Sequence, residues 1–547
     1  ANAVVREKLP FPGILGRACY APCESDCRRG NLDDPLSIRS LKRVAADHDD
    51  GRWRELQRRE PATGHRVAVI GAGPAGLTAG FYLAKKGHAV TIFEAMPSAG
   101  GMARYGIPAY RLPRDIIDDE IAEVAALGVE FHFNRRVESP GELLASGFDA
   151  VFIAIGAQAA LKPGVPGEEL PGVIGGIDFL RDVATGKTSS LPDSVSVIGG
   201  GDVACDAART ALRMSRGGVE LVYRRAQGAM SAQAGEIEAL LAEGGEARFQ
   251  QMPQSIREDD ARGLEVTWYQ TRLGRTDALG RRHLEGVPGS EASTSVGLLI
   301  VATGQVVQRM AGVAADEQGR VVVDDTGKLP GSAPLFAGGD AVTGPSSLID
   351  AVARGRLAAM SIDRHLGGDG DIDETLLDAD AQAWQTSPWL GREEGFNQRR
   401  ATEPPSQHLK PCPGWDEIET CYPAQDAIAE GLRCLKCNAI HEIGEAVLPP
   451  VSWRRLDLLN AHATAAEAGV YTLFDVDKQV LAIKGAANVQ AALLDVLAQE
   501  GEKRLMFFEV EMAHYYSQRE SELLQVFSEQ HGRLPPGVGE DAIDDLF

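Results

Sequence analysis

The chain lacks long apolar runs and an excess of positive charge, and each lack excludes a class of function. Its 547 residues contain no stretch close to the roughly 18 consecutive apolar residues that a membrane-spanning helix requires. The N-terminus also lacks the short apolar block of a signal peptide. Lysine and arginine number 55 against 78 aspartates and glutamates, and the resulting formal charge of −23 opposes binding to a phosphate backbone. We therefore expect a cytoplasmic chain with no membrane span and no nucleic-acid partner.

Cysteine is scarce, with eight residues, and its placement is uneven. All but Cys205 fall in two clusters toward the ends of the chain. In a reducing compartment, clustered thiols bind metal more often than they form disulfides. The chain opens on Ala1 rather than methionine, so we expect upstream residues that bear on the cysteine count.

At the usual ~150 residues per domain, the length predicts about three or four domains.

The first dinucleotide-binding pattern spans residues 66–94. An apolar segment, 67–70, leads into the glycine-rich turn GAGPAG and a helical pattern, and a second apolar segment, 89–93, ends on Glu94. An acid 23 positions after the first glycine, in this order of strand, turn, helix and strand, is typical of a dinucleotide fold. The alternative is a glycine-rich turn in an ordinary α/β protein.

Each glycine of this turn has a physical task. Gly71 permits the tight turn, Gly73 lets the backbone approach a pyrophosphate, and Gly76 lets the helix pack closely on the strand. The helix N-terminus faces the negative charge of the pyrophosphate. Glu94 is predicted to hydrogen-bond ribose hydroxyls.

The pattern recurs at residues 195–225 with a different residue type at its end. Gly199 and Gly201 take the first two glycine positions, and the second strand ends on Arg224 and Arg225. An acid there would repel a ribose 2′-phosphate, whereas arginine binds one through charge-assisted hydrogen bonds. This half is therefore predicted to bind NADP(H). The alternative is that both arginines are ordinary solvated side chains.

Three further apolar segments, 148–157, 297–305 and 334–342, end on small or glycine-containing turns. They suit a parallel sheet with a ligand at the carboxyl ends of its strands. Asp340 is placed to accept from a ribityl hydroxyl, and segment 344–362 is predicted to be a helix whose N-terminus faces the flavin. The alternative for Asp340 is an ordinary helix N-cap.

Over about residues 10–370, these motifs resemble the small subunit of bacterial NADPH-dependent glutamate synthase and its relatives. The motifs, in family order, are GAGPAG with the glycines at 100 and 101, YGIPAYRLPRDIIDDEI, VIGGGDVACDAART, VYRR and FAGGDAV. The resemblance implies an α/β fold of two Rossmann-like domains, with the NAD(P)H domain, 191–308, inserted between FAD-domain parts 64–190 and 309–370. It also implies FAD in the first unit and NADP(H), with NAD(H) as the alternative, in the second.

The resemblance further implies a set of cofactor-binding residues. By position, those for FAD are Gly71, Gly73, Gly76, Glu94, Gly101, Met102, Arg104, Gly339 and Asp340. Those for NADP(H) are Gly199, Gly201, Arg224 and Arg225. The flavin carries the chemistry, so no catalytic side chain is predicted. Cys205 has no CxxC partner, and we interpret it as a small buried packing residue.

Residues 1–63 are predicted to form a helical N-terminal module. In the glutamate synthase family such a module holds two [4Fe-4S] clusters, and FPGILGRACYAPCESDC resembles its second cysteine group. Cys19, Cys23 and Cys27 are therefore predicted cluster ligands, with Pro22 opposing a continuous helix through them. Their fourth partner lies either upstream or at the other end of the chain.

A connecting arm, 371–445, and a small α/β domain, 446–547, are predicted to complete the chain. The arm holds Cys412, Cys421, Cys434 and Cys437, enough for one four-thiolate site. An iron–sulfur cluster, structural zinc and unligated thiols all remain open.

The last domain is faintly similar to the GIY-YIG nuclease domain through residues 469–471. The second nuclease motif fails, with Ala482 and Lys484 where tyrosine and glycine are wanted. We therefore predict an inactive docking or structural module.

Together these features predict a flavin-dependent NAD(P)H:acceptor oxidoreductase. NADPH would give a hydride to the flavin, which would release electrons singly to iron–sulfur clusters. The sequence offers no site for a final substrate and no CxxC beside the flavin motifs. We therefore expect a hetero-oligomeric complex with an iron–sulfur catalytic subunit, or a ferredoxin partner. The alternatives are a free-standing NADPH:ferredoxin reductase and, less favoured, a nucleic-acid-processing protein.

Overall fold

The computed structural model describes residues 1–259, 263–276, 282–376, 401–402, 414–435, 437, 453–500 and 507–537. Cys412 lies outside the described residues. The chain divides into two compact units. Unit 1 comprises Ala1–Ala21, Arg39–Leu376 and Pro404–Tyr422. Unit 2 comprises Pro22–Ile38, Leu377–Glu403 and Pro423–Phe547.

The first parallel sheet of unit 1 has five strands. Their spatial order is Leu335–Ala337, Ala150–Ile153, Arg66–Ile70, Ala89–Phe93 and Glu130–His132. Its helices are Pro74–Lys85, Met102–Tyr105, Arg114–Ala126, Pro140–Ala145, Asp340–Thr343 and Leu348–His365. One edge strand comes from a segment far along the chain, so the sheet is assembled from two separated parts of the sequence. This confirms the predicted insertion of one domain into another.

Two helices of the first sheet pack closely because glycine removes a side chain between them. A Cβ atom at Gly355 would overlap the carbonyl oxygen of Ala75 in the facing helix. The neighbouring strands are fully buried, with Val67 and Val69 both 0% exposed. Burial on both faces explains why these strands read as continuous apolar runs.

The second parallel sheet of unit 1 also has five strands. Their spatial order is Val173–Gly175, Leu298–Val301, Ser194–Ile198, Gly218–Tyr223 and Glu246–Phe249. Its helices are Gly176–Ala184, Asp202–Met214 and Ala234–Ala242, and a short 3-10 helix is Gln227–Ala229. Val173–Gly175 pairs with Leu298–Val301, so the sheet begins before residue 191. The predicted domain boundaries themselves stay predictions.

An antiparallel sheet covers one face of the second parallel sheet, and sequence reasoning missed it. Its strands are Gln251–Asp259, Gly263–Thr276, Arg282–Gly286 and Ala292–Val296. Trp268, 1% exposed, packs in one apolar cluster with Ile198 and Val222 of the parallel sheet. A separate pair of short strands joins Ala159–Ala160 to Gln305–Val306.

The N-terminal part of the chain is helical, as predicted. Its helices are Asn2–Arg6, Pro12–Ala18, Pro22–Ser25, Ile38–Asp47 and Trp53–Leu56, with a 3-10 turn at Arg28–Asn31. Cys19 and Cys27 lie between short helices and Cys23 lies in the four-residue helix Pro22–Ser25, so no continuous helix runs through the three thiols, as expected from Pro22.

Unit 2 contains a four-stranded antiparallel sheet. The spatial order of its strands is Arg454–Arg455, Phe507–Met512, Gly469–Phe474 and Val480–Ala486. Its helices are Ala424–Gly431, Leu458–His462, Val489–Glu500 and Tyr516–His531. Along the chain a hairpin is followed by a helix, a strand and a final helix, which fits the predicted small α/β domain. Among the described helices, none has both the length and the apolar character needed to cross a membrane.

Glu120 attaches the helix Pro12–Ala18 to the first dinucleotide fold. Its fully buried carboxylate accepts from the backbone N–H groups of Gly13 at 2.7 Å and Ile14 at 3.1 Å. Because it satisfies two orphan amides at a helix N-terminus, this carboxylate links two parts of unit 1 that are distant in sequence.

We predict that Glu120→Gln destabilises the protein by about 1–3 kcal/mol, because an amide side chain has only one acceptor oxygen and leaves one backbone N–H unpaired. The exposed Asp119→Asn on the same helix is the matched control and should change stability by no more than about 0.5 kcal/mol. Thermal unfolding of both variants beside the parent chain measures the difference. Equal midpoints for the two variants would contradict the assigned role.

Candidate functional site

A cavity of about 980 Å³ in unit 1 lies where the two dinucleotide folds meet. Of the predicted FAD residues, those on its wall are Gly71, Gly73, Glu94, Gly101, Met102, Gly339 and Asp340. From the second fold, Gly175, Asp178, Asp202 and Val203 also line it. The carboxyl ends of both sets of parallel strands therefore open on one space, as expected for ligands of α/β sheets.

The glycines of the first fold fall into two groups. A Cβ at Gly71, where φ is +105°, would lie 2.5 Å from the Ala154 carbonyl oxygen, and one at Gly76 would overlap the Gly71 carbonyl oxygen. At Gly101, where φ is +51°, it would lie 2.6 Å from the Gly73 Cα atom. These three positions require glycine for the backbone itself.

Gly73 differs from the other three, because a Cβ there meets no protein atom closer than the Gly101 Cα at 3.8 Å. The fold therefore tolerates a side chain at this position, and the space beside it belongs to the cavity. Backbone amides at a helix N-terminus next to such a space fit a pyrophosphate. The donor set and the cradle thus fit the pyrophosphate of FAD.

Glu94 lies at the end of the second strand, as predicted, and is 7% exposed. Its carboxylate accepts from the backbone N–H of Ala72 at 2.7 Å and of Met96 at 2.8 Å. Burial raises the pKa of Glu94 above its ordinary value, and these hydrogen bonds act in the opposite direction. The two amides fix the carboxylate at the cavity wall, where its remaining lone pairs can accept from hydroxyl groups.

Asp340 is held by the loop that follows it rather than serving as an N-cap. One of its carboxylate oxygens accepts from the Ser346 backbone N–H at 3.2 Å and from its hydroxyl at 2.8 Å. Ser347 caps the long helix instead, accepting from the Asp350 N–H. Burial raises the pKa of Asp340. The ordinary N-cap alternative is therefore not what the structure contains.

Two further predicted FAD residues have different surroundings. Met102 lines the cavity, and its Sδ atom lies 3.9 Å from the Gln305 side-chain nitrogen. Arg104 donates from Nε to the Ala99 carbonyl oxygen at 2.6 Å and pairs with Asp118. The contacts of Arg104 stabilise the loop and nearby helix rather than the cavity wall.

The second glycine turn is close-packed at its first two glycines, and the four predicted NADP(H) residues, Gly199, Gly201, Arg224 and Arg225, are not among those that line the cavity. A Cβ at Gly200 would clash with the Tyr223 ring, and one at Gly199 would overlap the Ala302 carbonyl oxygen. At Gly201 the nearest atom would be the Ser231 hydroxyl oxygen at 3.4 Å. Gly201, like Gly73, therefore has room beside it at the start of a helix, which fits a second pyrophosphate.

Arg224 and Arg225 directly follow the strand Gly218–Tyr223, and both side chains are exposed. Their backbones are engaged: the Thr271 hydroxyl donates to the Arg224 carbonyl at 2.6 Å, and the Gln250 N–H donates to that of Arg225 at 3.1 Å. Within the described residues, neither guanidinium forms an ion pair. Both side chains are therefore available to an anionic ligand.

A buried charge network joins the two dinucleotide folds, and sequence reasoning missed it. Arg111 of the first fold pairs with Asp206 at 2.7 Å and Glu236 at 3.1 Å in the second. Arg209 pairs with Glu236 at 2.5 Å and with Glu243 at 2.7 Å. Burial disfavours the charge on Arg111, but Asp206 and Glu236 raise its pKa above the ordinary value.

Two members of the network, Arg111 and Asp206, line the cavity, and Asp202 lines it beside them. Asp202 accepts from the Tyr20 hydroxyl and from the Gln233 backbone N–H at 3.1 Å. Alternating arginines and acids in YRLPRD and in DVACDAARTALR were the only signal in the sequence, and that signal does not say which charges pair.

The described cysteines lie in two different units. Cys19, 4% exposed, and Cys421 belong to unit 1, and burial with the nearby Asp47 raises the pKa of Cys421. The cysteines of unit 2 are Cys23, Cys27, Cys434 and Cys437. No three cysteine, histidine or acidic side chains come together to hold a metal ion anywhere in the described ranges. The structure therefore leaves the predicted clusters as a prediction.

Cys205 is fully buried, as predicted, and packs among apolar side chains of the second fold. Burial raises the pKa of its thiol to about 12. A thiol in this environment is inert and stabilises the core by packing.

Comparison with known proteins supports the site. A family model, pyridine nucleotide-disulphide oxidoreductase, matches residues 65–355. The NADP(+)-dependent formate dehydrogenase subunit beta of Moorella thermoacetica is 37% identical, covering 82% of this chain and 67% of that protein. The NADPH-Fe(3+) oxidoreductase subunit beta of Geobacter sulfurreducens is 33% identical, with 80% and 71% covered. The glutamate synthase [NADPH] small chain of Halomonas elongata is 32% identical, with 64% and 79% covered.

Two Rossmann-like folds that open on one cavity define a flavin- and NAD(P)H-dependent oxidoreductase. The chain belongs to the pyridine nucleotide-disulphide oxidoreductase family. The resemblance to the glutamate synthase small chain is confirmed, since that protein is among the relatives. The faint similarity to a nuclease domain finds no support in the comparisons and stays a prediction.

We predict that Gly73→Val reduces bound FAD to less than about a tenth of the parent level, because the valine fills the space beside the pyrophosphate amides. The fold should survive, since the nearest protein atom to a new Cβ is 3.8 Å away. FAD per chain is measured by absorbance after gel filtration.

Gly141→Val is the control, because Gly141 is exposed on the helix Pro140–Ala145 and a Cβ there would meet only the Ser139 hydroxyl oxygen at 3.6 Å. It should retain full FAD. Normal FAD content in a folded Gly73→Val protein would contradict the assignment of FAD to the first dinucleotide fold.

Proposed function

We propose that the chain passes electrons between NADP(H) and an iron–sulfur partner protein, as the flavin-containing subunit of a larger assembly. The observation that carries this proposal is the cavity shared by both dinucleotide folds. Two nucleotide cofactors that meet in one space can exchange a hydride directly. When bound, FAD accepts a hydride as a pair of electrons and can release the electrons one at a time.

In this proposal each fold contributes a defined set of residues to its cofactor. The amides around Gly73 and Gly101 would receive the FAD pyrophosphate, Glu94 would accept from its ribose, and Asp340 from its ribityl chain. The amides beside Gly201 would receive the NADP(H) pyrophosphate. Met102 lies on the cavity wall and would contact the bound cofactor. Arg104 would act indirectly, by holding the loop after Ala99.

The cavity wall supports an external electron acceptor rather than an internal disulfide. None of the described residues that line it is a cysteine. A disulfide reductase would need a thiol pair beside the flavin, so electrons must leave for another molecule. The relatives named as beta subunits support a partner subunit as that molecule.

The proposal extends to the seven clustered cysteines as ligands of metal centres. The resemblance of Cys19, Cys23 and Cys27 to cluster ligands supports it, and so does the CxxC pair Cys434 and Cys437. Zinc at the C-terminal cysteines is the alternative. The domain of residues 446–547 would then be a docking or structural module, in a cytoplasmic protein. The formal charge of −23 supports a function without nucleic acid.

Partner identity can be tested by affinity purification of the tagged chain from its native host. Co-purification of an iron–sulfur subunit at a fixed ratio supports the assembly. Isolation of the chain alone, with full NADPH-dependent reduction of a small ferredoxin, would instead favour a free-standing reductase.

We predict that replacing Arg224 and Arg225 together with alanine lowers kcat/KM for NADPH at least tenfold. A charge-assisted bond to the 2′-phosphate contributes about 1.5–3 kcal/mol, roughly 10- to 150-fold in preference. The efficiency with NADH should barely change, because NADH has no 2′-phosphate. Anaerobic flavin reduction under stopped flow, with each nucleotide in turn, measures both values.

Arg216→Ala is the matched control, because this exposed arginine precedes the same strand at its opposite end. It should leave both efficiencies within twofold of the parent, roughly 0.4 kcal/mol. If the parent chain already prefers NADH, or if both nucleotides lose efficiency equally in the double variant, the arginines are ordinary surface charges.

A further inference from the structure

Unit 2 contains two cysteine pairs that are more than 400 positions apart in the chain. Cys23 and Cys27 lie in the segment Pro22–Ile38, and Cys434 and Cys437 lie in the segment that begins at Pro423. Cys19 belongs to unit 1. The evenly spaced triplet at the N-terminus is therefore divided, although its spacing groups the three thiols together.

A buried ion cluster fixes the two segments of unit 2 against each other. Arg29 and Arg433 are both 0% exposed, and an Arg29 side-chain nitrogen donates to the Arg433 carbonyl oxygen at 3.3 Å. Asp33 pairs with Arg29 at 2.7 Å and with Arg433 at 3.0 Å. Glu430 pairs with Arg433 at 2.7 Å and accepts from the Ser37 backbone N–H at 3.0 Å. Removing one member of such a buried cluster would leave an uncompensated buried charge, so the two segments have one defined arrangement.

The ion cluster lies next to both cysteine pairs along the chain. Cys27 immediately precedes the 3-10 turn Arg28–Asn31, which contains Arg29, and Cys434 immediately follows Arg433. The Arg29–Arg433 contact therefore places the backbone of one pair near that of the other.

Tyr515 contacts the second pair through its hydroxyl group. The Cys437 Sγ atom lies 2.6 Å from the Tyr515 hydroxyl oxygen. Both residues belong to unit 2.

We propose that Cys23, Cys27, Cys434 and Cys437 together bind one thiophilic metal centre, either a [4Fe-4S] cluster or a zinc ion. The proposal narrows the metal assignment made under the proposed function, on which it rests. Four thiolates are the ligand set that both centres use, and each thiol releases its proton to solvent as it binds. Because these thiols do not yet converge in the described structure, their side chains must turn toward one another on binding, which the exposed Cys23 permits.

The test uses the full chain, purified without oxygen and loaded either with sulfide and equal amounts of ferrous and ferric iron, which match the oxidation state of a [4Fe-4S] cluster, or with Zn²⁺ alone. Metal per chain is then measured for the parent and for Cys23→Ser, Cys27→Ser, Cys434→Ser and Cys437→Ser. Each single variant should lose the same amount of bound metal, equal to one centre per chain. The double variant Cys23→Ser with Cys434→Ser should lose no more than either single variant, because both residues serve one site. Recovery of iron with sulfide indicates the cluster, and recovery of zinc alone indicates the zinc ion.

Cys19→Ser and Cys421→Ser are the controls, because both residues belong to unit 1, and they should retain this centre. Additive loss in the double variant, loss of the same centre in Cys19→Ser, or no bound metal in the parent under either loading would overturn the proposal.

Mass spectrometry of the alkylated parent chain covers the case of a variant that does not fold. Bound metal should protect Cys23, Cys27, Cys434 and Cys437 together from alkylation. FAD content of the parent is measured in the same samples, so failure of the flavin assignment is visible separately from failure of the metal site.

Discussion

The geometry of the cofactor cavity depends on charges that are buried between the two dinucleotide folds. Arg111 comes from the first fold, and its partners Asp206 and Glu236 come from the second. Burying ions is costly, and the cost is offset only when every charge is paired. Arg209 and Glu243 continue the pairing away from the cavity. Any rotation that separated the folds would expose or unpair several of these ions at once, so the network favours one relative orientation.

Aromatic rings close the outer side of this network. The Tyr110 ring lies under the Arg213 guanidinium, with 3.6 Å between the Arg213 Cζ atom and the ring centroid. Trp415 packs against the same ring, with centroids 6.4 Å apart. Cation–π contacts of desolvated arginine contribute about 2 kcal/mol, which helps to offset the cost of burial. The two nucleotide folds therefore meet through both ion pairs and ring packing.

Local sequence rules predicted the parts of the structure that local physics determines. The glycine turn at Gly71, the buried strands and the acid at Glu94 follow from spacing alone, because each requirement lies within one βαβ unit. The antiparallel sheet around Trp268 was missed, since its apolar residues lie on one face of long strands without a recognised motif. The pairing of Arg111 with Asp206 joins residues 95 positions apart, and periodicity contains no information about such pairs. The N-terminal thiols show the same limit, because even spacing along the chain does not show that Cys19 belongs to unit 1 and Cys23 to unit 2.

The two glycine-rich folds of unit 1 end their second strands in opposite ways, and the difference matches two kinds of ligand. Glu94 is buried, and backbone amides fix its carboxylate on both sides. In the proposed function, the flavin would be the ligand at this carboxylate and would stay bound through turnover. Arg224 and Arg225 are exposed, and only their backbones are tied to the neighbouring strands. The nicotinamide nucleotide would be the ligand there, and the exposed side chains would let it leave after each turnover. One structural pattern, used twice with opposite charge and opposite burial, would thus provide both the fixed and the exchanging partner of a hydride transfer.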